Sequence, residues 1–169
     1  ENLKIRTYDP SGTITFKNIG ASPIQLSWSD VIPQLTTGGI EAVLTSAESG
    51  VNGKFWELLS HFNELNYTIP LSLVHMNKYV FDSLSVELQQ VVQEAAASAE
   101  KHAWDAAKNR VQENYKILKD HNVNIVDQIP QSFLDSLKEA SQPAMNDWLE
   151  KMGDSGEQII TDYKSRIKK

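Results

Sequence analysis

Apolar and polar residues alternate along the first half of the chain in short stretches, which polar or glycine-containing segments separate. A period of two is typical of β-strands, and apolar spacings of three and four are typical of helices. The predicted elements are a strand over 3–8, a helix to about residue 19 capped by Ser11, a strand over 23–26, a helix over 29–37 capped by Ser27 or Ser29, and a strand over 40–44. This alternation, with short connections, indicates an α/β fold.

The second half of the chain is dominated by helical spacing. Its longest stretch, residues 85–120, contains neither Gly nor Pro, and at 1.5 Å per residue it would be roughly 50 Å long. A helix longer than the lobe beside it is expected to brace something larger. The other predicted elements are a polar loop over 45–53, a helix over 54–62, an extended segment over 66–76, a strand over 122–126, and helices over 131–140, 144–152 and 155–167.

The composition and charge of the chain exclude several classes of function. The 169 residues carry a formal net charge of −6 and include no cysteine. An acidic chain has no electrostatic attraction for nucleic acid or anionic lipid, so neither is an expected partner. The lack of cysteine excludes disulfides, thiolate catalysis and cysteine-ligated zinc. No stretch is long and apolar enough to predict insertion into a membrane, and the first residues lack the profile of a secretory signal.

The sequence offers no convincing set of catalytic or metal-binding residues. Residues 50–54 resemble the end of a phosphate loop, but Glu48 stands where its first Gly is required and Phe55 where its Ser or Thr is required. The four histidines are scattered and form no pair at i, i+4. We therefore expect no enzymatic activity, no cofactor and no metal site.

Several short segments, taken in their order and spacing, match the pattern of a known family. They are Lys-Ile-Arg at 4–6, Gly-Ala-Ser-Pro at 20–23, Trp-Ser-Asp at 28–30, Leu-Thr-Thr-Gly-Gly-Ile-Glu-Ala at 35–42, and the start of the long helix at 84–96. The chain thus resembles the substrate-binding proteins of tripartite ATP-independent periplasmic (TRAP) transporters, of the dicarboxylate-binding type. The resemblance covers the chain from Leu3 to about Glu100.

The resemblance implies a fold and a division of the chain. Members of that family have two α/β lobes hinged around a ligand cleft and are nearly twice as long as this chain. We therefore expect one lobe of a two-lobe periplasmic-binding-protein-like fold: an α/β ligand-binding lobe over 1–84, a long hinge-bracing helix over 85–120, and a C-terminal strand and helices over 121–169. The N-terminal lobe is expected to lie outside this sequence.

The resemblance also implies a function. It predicts a periplasmic solute receptor that captures an organic acid between its lobes and delivers it to the membrane permease subunits of a transporter. An alternative is a sensory or interaction domain that reuses the same fold without a transporter. A small enzyme on an α/β scaffold is a third interpretation, which the missing nucleophile–base set disfavours. Neighbouring genes for permease subunits would separate the first two interpretations, and turnover of a bound acid would support the third.

Four residues receive ligand-binding roles from the resemblance. Arg6 occupies the position of the family arginine that pairs with the substrate carboxylate, and Trp28 the position of an aromatic ring along the ligand. Thr45 and Ser46 stand where the family has Asn-Pro, so we expect a ligand other than sialic acid or a simple C4-dicarboxylate. The residues alone leave alternatives open: a solvent-facing Arg6, a buried Trp28, and ordinary loop hydroxyls.

Overall fold

The first half of the chain folds around a three-stranded parallel sheet. The computed structural model describes residues 2–167. The strand order is β2-β1-β3, with β1 in the centre. The elements are β1 (Lys4–Thr7), α1 (Pro10–Asn18), β2 (Ser22–Gln25), α2 (Trp28–Thr37) and β3 (Ala42–Val43). Strands and helices alternate as the sequence predicts.

The N-cap of helix α1 lies two residues before the predicted cap. Its N-cap is Asp9, whose Oδ1 accepts hydrogen bonds from the backbone N–H of Gly12 at 2.6 Å and the hydroxyl of Ser11 at 2.7 Å. Pro10 occupies the first helical position, where a backbone N–H would have no acceptor within the helix. The prediction of a Ser11 cap is therefore wrong, because a carboxylate two residues earlier already satisfies the free N–H group.

The second half of the chain adds a second parallel strand pair and a set of helices. Strand β4 pairs with β5, with Phe62 opposite Ile125. The elements are α3 (Ala47–Asn52), a 3-10 turn (Phe55–Glu57), β4 (His61–Asn63), α4 (Lys78–Asp82), α5 (Val86–Asp120), β5 (Asn124–Val126), α6 (Gln131–Ala140), α7 (Gln142–Met152) and α8 (Asp154–Ile167). The predicted long helix is confirmed within one residue at its N-terminus.

Residues 45–62 differ from the sequence predictions at two points. The expected polar loop contains α3, which is capped by Ser46, and the expected helix over 54–62 is a 3-10 turn followed by β4. Lys54 has a left-handed backbone with φ of 50°, which separates the turn from α3. Phe55 and Phe62 have helical spacing, yet they pack in two different apolar clusters.

Three apolar clusters hold the fold together. Ile5, Phe16 and Leu44 join the sheet to α1, and Val31, Ile40 and Phe55 join it to α2. Leu118, Val123 and Ala47 join α3 to the end of α5. Helices α6 and α7 pack on α1, where the side-chain amide of Asn18 donates to the carbonyl oxygen of Ala140 at 3.0 Å.

One face of the molecule remains apolar and exposed. Residues 64–77 form neither helix nor strand, and the apolar side chains at the centre of this segment have more than two thirds of their surface exposed; these are Ile69, Leu71, Leu73 and Val74. Val86, Leu88 and Val91 at the start of α5 are exposed as well. No helix within residues 2–167 combines the length and apolar character needed to span a membrane.

Candidate ligand-binding site

The predicted site residues gather at one edge of the parallel sheet. The carboxyl ends of β1, β2 and β3 meet there because the three strands run in the same direction. Trp28 begins the helix that follows β2, and Thr45 and Ser46 follow β3. In open α/β sheets, ligands bind outside the carboxyl ends of the strands. The structure thus brings Arg6 and Trp28 together and places the two hydroxyl residues at the same edge.

Strand alternation directs Arg6 to the side of the sheet that carries α2. Successive side chains of a strand point to opposite faces. Ile5 packs in the cluster beside α1, and the register partner of Arg6 on β3, Val43, packs against the cluster beside α2. Arg6 is only 6% exposed. Its Nε donates to the carbonyl oxygen of Leu26 at 3.1 Å, which fixes the orientation of the guanidinium.

The guanidinium of Arg6 has no anionic partner within residues 2–167. Asp9, its nearest acidic neighbour in sequence, instead caps α1. Every fully buried side-chain nitrogen and oxygen in this part of the chain has a hydrogen-bond partner, so the unpaired Nη atoms of Arg6 reach solvent. Burial lowers the pKa of Arg6, although a guanidinium stays charged at neutral pH. A largely buried cation without an anion is unfavourable, and an anionic ligand at its Nη atoms would relieve this cost.

Two aromatic rings lie close to this guanidinium. The Cζ atom of Arg6 is 5.7 Å from the ring centroid of Trp28 and 5.6 Å from that of Tyr8. Trp28 also stacks on Phe55, with ring centroids 5.7 Å apart. Trp28 is 46% exposed, so it is not the buried residue of the alternative interpretation. Its free ring surface is available to a ligand beside Arg6.

Sequence reasoning missed Tyr8 as a member of this group. It lies two positions after Arg6 in the chain, and this spacing places both side chains on the same face of an extended segment. The alternation of side chains along a strand is therefore the sequence signal that could have identified Tyr8. Burial, and to a lesser extent the negative charge of Asp9, raise the pKa of Tyr8, so its hydroxyl stays neutral at physiological pH.

The two hydroxyl residues differ in their hydrogen bonding. The Oγ of Ser46 accepts from the backbone N–H of Ser49 at 3.1 Å and donates to the hydroxyl of Ser49 at 3.1 Å, so it acts as the N-cap of α3. Thr45 is half-buried. The loop is held against β1 because the N–H of Leu44 donates to the carbonyl oxygen of Arg6 at 2.9 Å.

The arrangement is suited to binding rather than to bond-breaking chemistry. It combines a guanidinium held at its Nε with aromatic faces, and no acidic side chain within residues 2–167 pairs with Arg6. Within the described chain, no three His, Asp or Glu side chains gather as metal ligands. Two surface cavities, of about 410 and 560 Å³, are lined by other residues, and Arg6 and Trp28 lie at the open carboxyl edge of the sheet, where Trp28 is exposed.

A sequence model of the bacterial extracellular solute-binding protein family 7 (DctP) matches residues 1–152. Among curated relatives, the ectoine-binding periplasmic protein TeaA of Halomonas elongata is 25% identical over 170 residues, covering 99% of this chain and 50% of the relative. The 2,3-diketo-L-gulonate-binding periplasmic protein YiaO of Escherichia coli is 33% identical over 100 residues, covering 59% of this chain and 30% of the relative.

Solved structures agree with these sequence matches. An extracytoplasmic solute receptor of Bordetella pertussis that binds pyroglutamic acid superposes with a TM-score of 0.85 at 29% identity, covering 95% of this chain and 53% of the receptor. A marine-metagenome TRAP solute-binding protein specific for pyroglutamate gives a TM-score of 0.83 at 30% identity, covering 98% of this chain and 54% of that protein. The chain spans about half the length of these proteins.

Proposed function

Because the chain belongs to the bacterial extracellular solute-binding protein family 7, we propose that it is the carboxylate-binding lobe of a TRAP solute receptor. In this proposal the receptor works in the periplasm, captures a small organic acid and delivers it to the membrane permease subunits. The family is one of solute-binding proteins, so the proposed role is binding without conversion of the ligand. The largely buried guanidinium of Arg6, which has no anionic partner within residues 2–167, is the observation that carries the proposal.

The ligand class follows from the chemistry of the site. A planar guanidinium presents parallel N–H groups that match the two oxygens of a carboxylate. The exposed ring of Trp28 adds an apolar face on which a compact ligand skeleton can lie. Relatives are named for pyroglutamic acid, ectoine and 2,3-diketo-L-gulonate, each of which carries a carboxylate. We therefore propose a small organic acid, with pyroglutamate as the first to test.

The exposed apolar face supports a second lobe. The apolar side chains of residues 64–77 and of the start of α5 are exposed, and large exposed apolar patches mark interaction sites. Relatives are about twice as long as this chain. In the proposed receptor, a second lobe covers this face and closes over Arg6. A ligand that contacts both lobes then shifts the population toward the closed state, which the permease recognises.

The ligand class is tested by calorimetry on the protein at its natural length. Pyroglutamate is compared with its primary amide, which has the same ring and size but no carboxylate charge. We expect the acid to bind at least about a hundredfold more tightly, because charge-assisted hydrogen bonds contribute about 1.5–3 kcal/mol each. Equal affinity for acid and amide would contradict a carboxylate site.

The second lobe is tested by comparing two lengths of protein. The 169-residue chain by itself is expected to bind pyroglutamate weakly or not at all, because in the proposed receptor the second lobe supplies half of the cleft. The natural-length protein is expected to become more compact when the ligand binds, which small-angle scattering measures as a smaller radius of gyration. Micromolar binding by the isolated chain would show that the site is complete within these residues and would contradict the two-lobe proposal.

A further inference from the structure

Tyr8 is the one aromatic neighbour of Arg6 to which neither the sequence pattern nor the proposed function gives a role. Its ring centroid lies 5.6 Å from the guanidinium carbon, within the range of a cation–π contact. It immediately follows β1, at the strand end where the ligand is proposed to bind. With 41% of its surface exposed, the ring is held at the rim of the site and is not part of the apolar core.

An aromatic neighbour suits a ligand-binding arginine better than an acidic one. A carboxylate beside Arg6 would neutralise the guanidinium and compete with the ligand for its N–H groups. The face of a tyrosine ring attracts the cation but carries no carboxylate oxygen that would accept from the N–H groups of the guanidinium. Asp9, the adjacent acid, is kept from this role because its Oδ1 accepts from Gly12 and Ser11. The strand end therefore supplies a cation–π contact without supplying a competing ion pair.

Three contacts together restrict the Arg6 side chain. The carbonyl oxygen of Leu26 accepts a hydrogen bond from Nε, and the ring centroids of Trp28 and Tyr8 lie 5.7 and 5.6 Å from the guanidinium carbon. None of these contacts uses the Nη atoms. An arginine side chain is long and loses considerable rotamer freedom when it binds a ligand. A guanidinium that is already held in place loses less, so it binds the ligand more tightly than a mobile one.

We infer that Tyr8 is a positioning residue, whose ring holds the Arg6 guanidinium in the orientation that receives the ligand carboxylate. This inference rests on the proposed role of Arg6 in binding a carboxylate. Tyr8 acts through Arg6 and not through its own contact with the ligand. The ring, rather than the phenolic hydroxyl, provides the effect.

The first measurement needs no ligand. NMR relaxation of the Arg6 Nε–Hε group in the natural-length protein reports the mobility of this side chain, and the Arg6→Lys variant assigns its signal by loss. We expect a rigid signal in the wild type and in Tyr8→Phe, and a clearly more mobile one in Tyr8→Leu. Tyr163→Leu, a substitution at an exposed tyrosine on α8, is the matched control and should leave the signal unchanged.

The second measurement is a double-mutant cycle with pyroglutamate as the probe, read by NMR titration up to millimolar concentration. Tyr8→Leu should weaken binding by about 3- to 30-fold, the range of a partly desolvated cation–π contact, and Tyr8→Phe by less than about twofold. In an Arg6→Ala background, Tyr8→Leu should cause no further loss.

The outcomes separate this inference from the proposed function. If pyroglutamate binding is unaffected by Arg6→Ala, or absent in the wild type, the proposed site or its ligand is wrong, and the relaxation measurement still decides the positioning role. An Arg6 signal that stays rigid in Tyr8→Leu overturns the inference. The inference is also overturned if Tyr8→Leu weakens binding as much in the Arg6→Ala background as in the wild type, because Tyr8 would then contact the ligand directly.

Discussion

Replacing Arg6 by alanine removes the guanidinium from the proposed site. Arg6 is 6% exposed and has no anionic partner within residues 2–167, so a bound carboxylate would be its principal counter-charge. Truncating one member of a desolvated, hydrogen-bonded charge pair costs about 2–5 kcal/mol. The open edge leaves some contact with water, so we expect a loss of about 2–4 kcal/mol, or roughly 30- to 700-fold in the dissociation constant.

Arg6→Lys tests the geometry of the fork separately from its charge. A lysine ammonium keeps the charge but cannot donate to Leu26 and present two parallel N–H groups at the same time. We therefore expect Lys to recover only part of the affinity lost in Arg6→Ala. Arg110→Ala is the matched control, because Arg110 forms an exposed pair with Glu48 at 3.2 Å and lies on α5. Its effect on binding should be less than about twofold.

Isothermal titration calorimetry at natural length measures these affinities, and circular dichroism melting checks that each variant folds. If Arg6→Ala and Arg6→Lys both bind pyroglutamate within threefold of the wild type, Arg6 is not the carboxylate partner. A loss of equal size in Arg110→Ala would point to a general structural effect and would also refute the reasoning.

Three further predictions concern other parts of the chain. Trp28→Phe, made in a Trp104→Phe background because Trp104 is 62% exposed, should abolish most of the ligand-induced change in tryptophan fluorescence; a retained change would place the ligand away from Trp28. Thr45→Val should weaken ligand binding severalfold, which calorimetry measures. Ser46→Ala should mainly lower the free energy of unfolding, by about 1 kcal/mol, because it removes the α3 cap, and urea unfolding measures this loss. The opposite pattern would reverse the two roles. Burial raises the pKa of Tyr115 to about 12, so the free energy of unfolding should fall as pH rises from about 10 through 12, and Tyr115→Phe should reduce this slope in urea unfolding.

Local sequence signals predicted the elements whose features lie close together in the chain. The α/β alternation around β1 and the long helix α5 follow from short-range periodicity, from the serine before Val86 and from the absence of Gly and Pro in residues 85–120. The order of the short family segments identified the family, and with it Arg6 as the first candidate for the site. Its burial and its contact with Trp28 then came from the structure.

The errors over residues 45–62 occur where distant contacts override local spacing. Phe62 has helical spacing from Phe55, but it lies on β4, whose pairing with β5 depends on a strand much later in the sequence. Helix α3 contains two residues that disfavour helix, Gly50 and Asn52, and its packing against α5 stabilises it. Tyr8 was missed because alternation reveals which face it shares with Arg6 but not the distance between the two side chains.

The most direct test of the account is to identify the small molecule that the natural-length protein retains when it is purified from cells that make it. Denaturing the protein should release a small organic acid, which mass spectrometry identifies. The Arg6→Ala variant purified in the same way should retain almost none of it. The account is contradicted if the retained molecule has no carboxylate, or if Arg6→Ala retains it as fully as the wild type does.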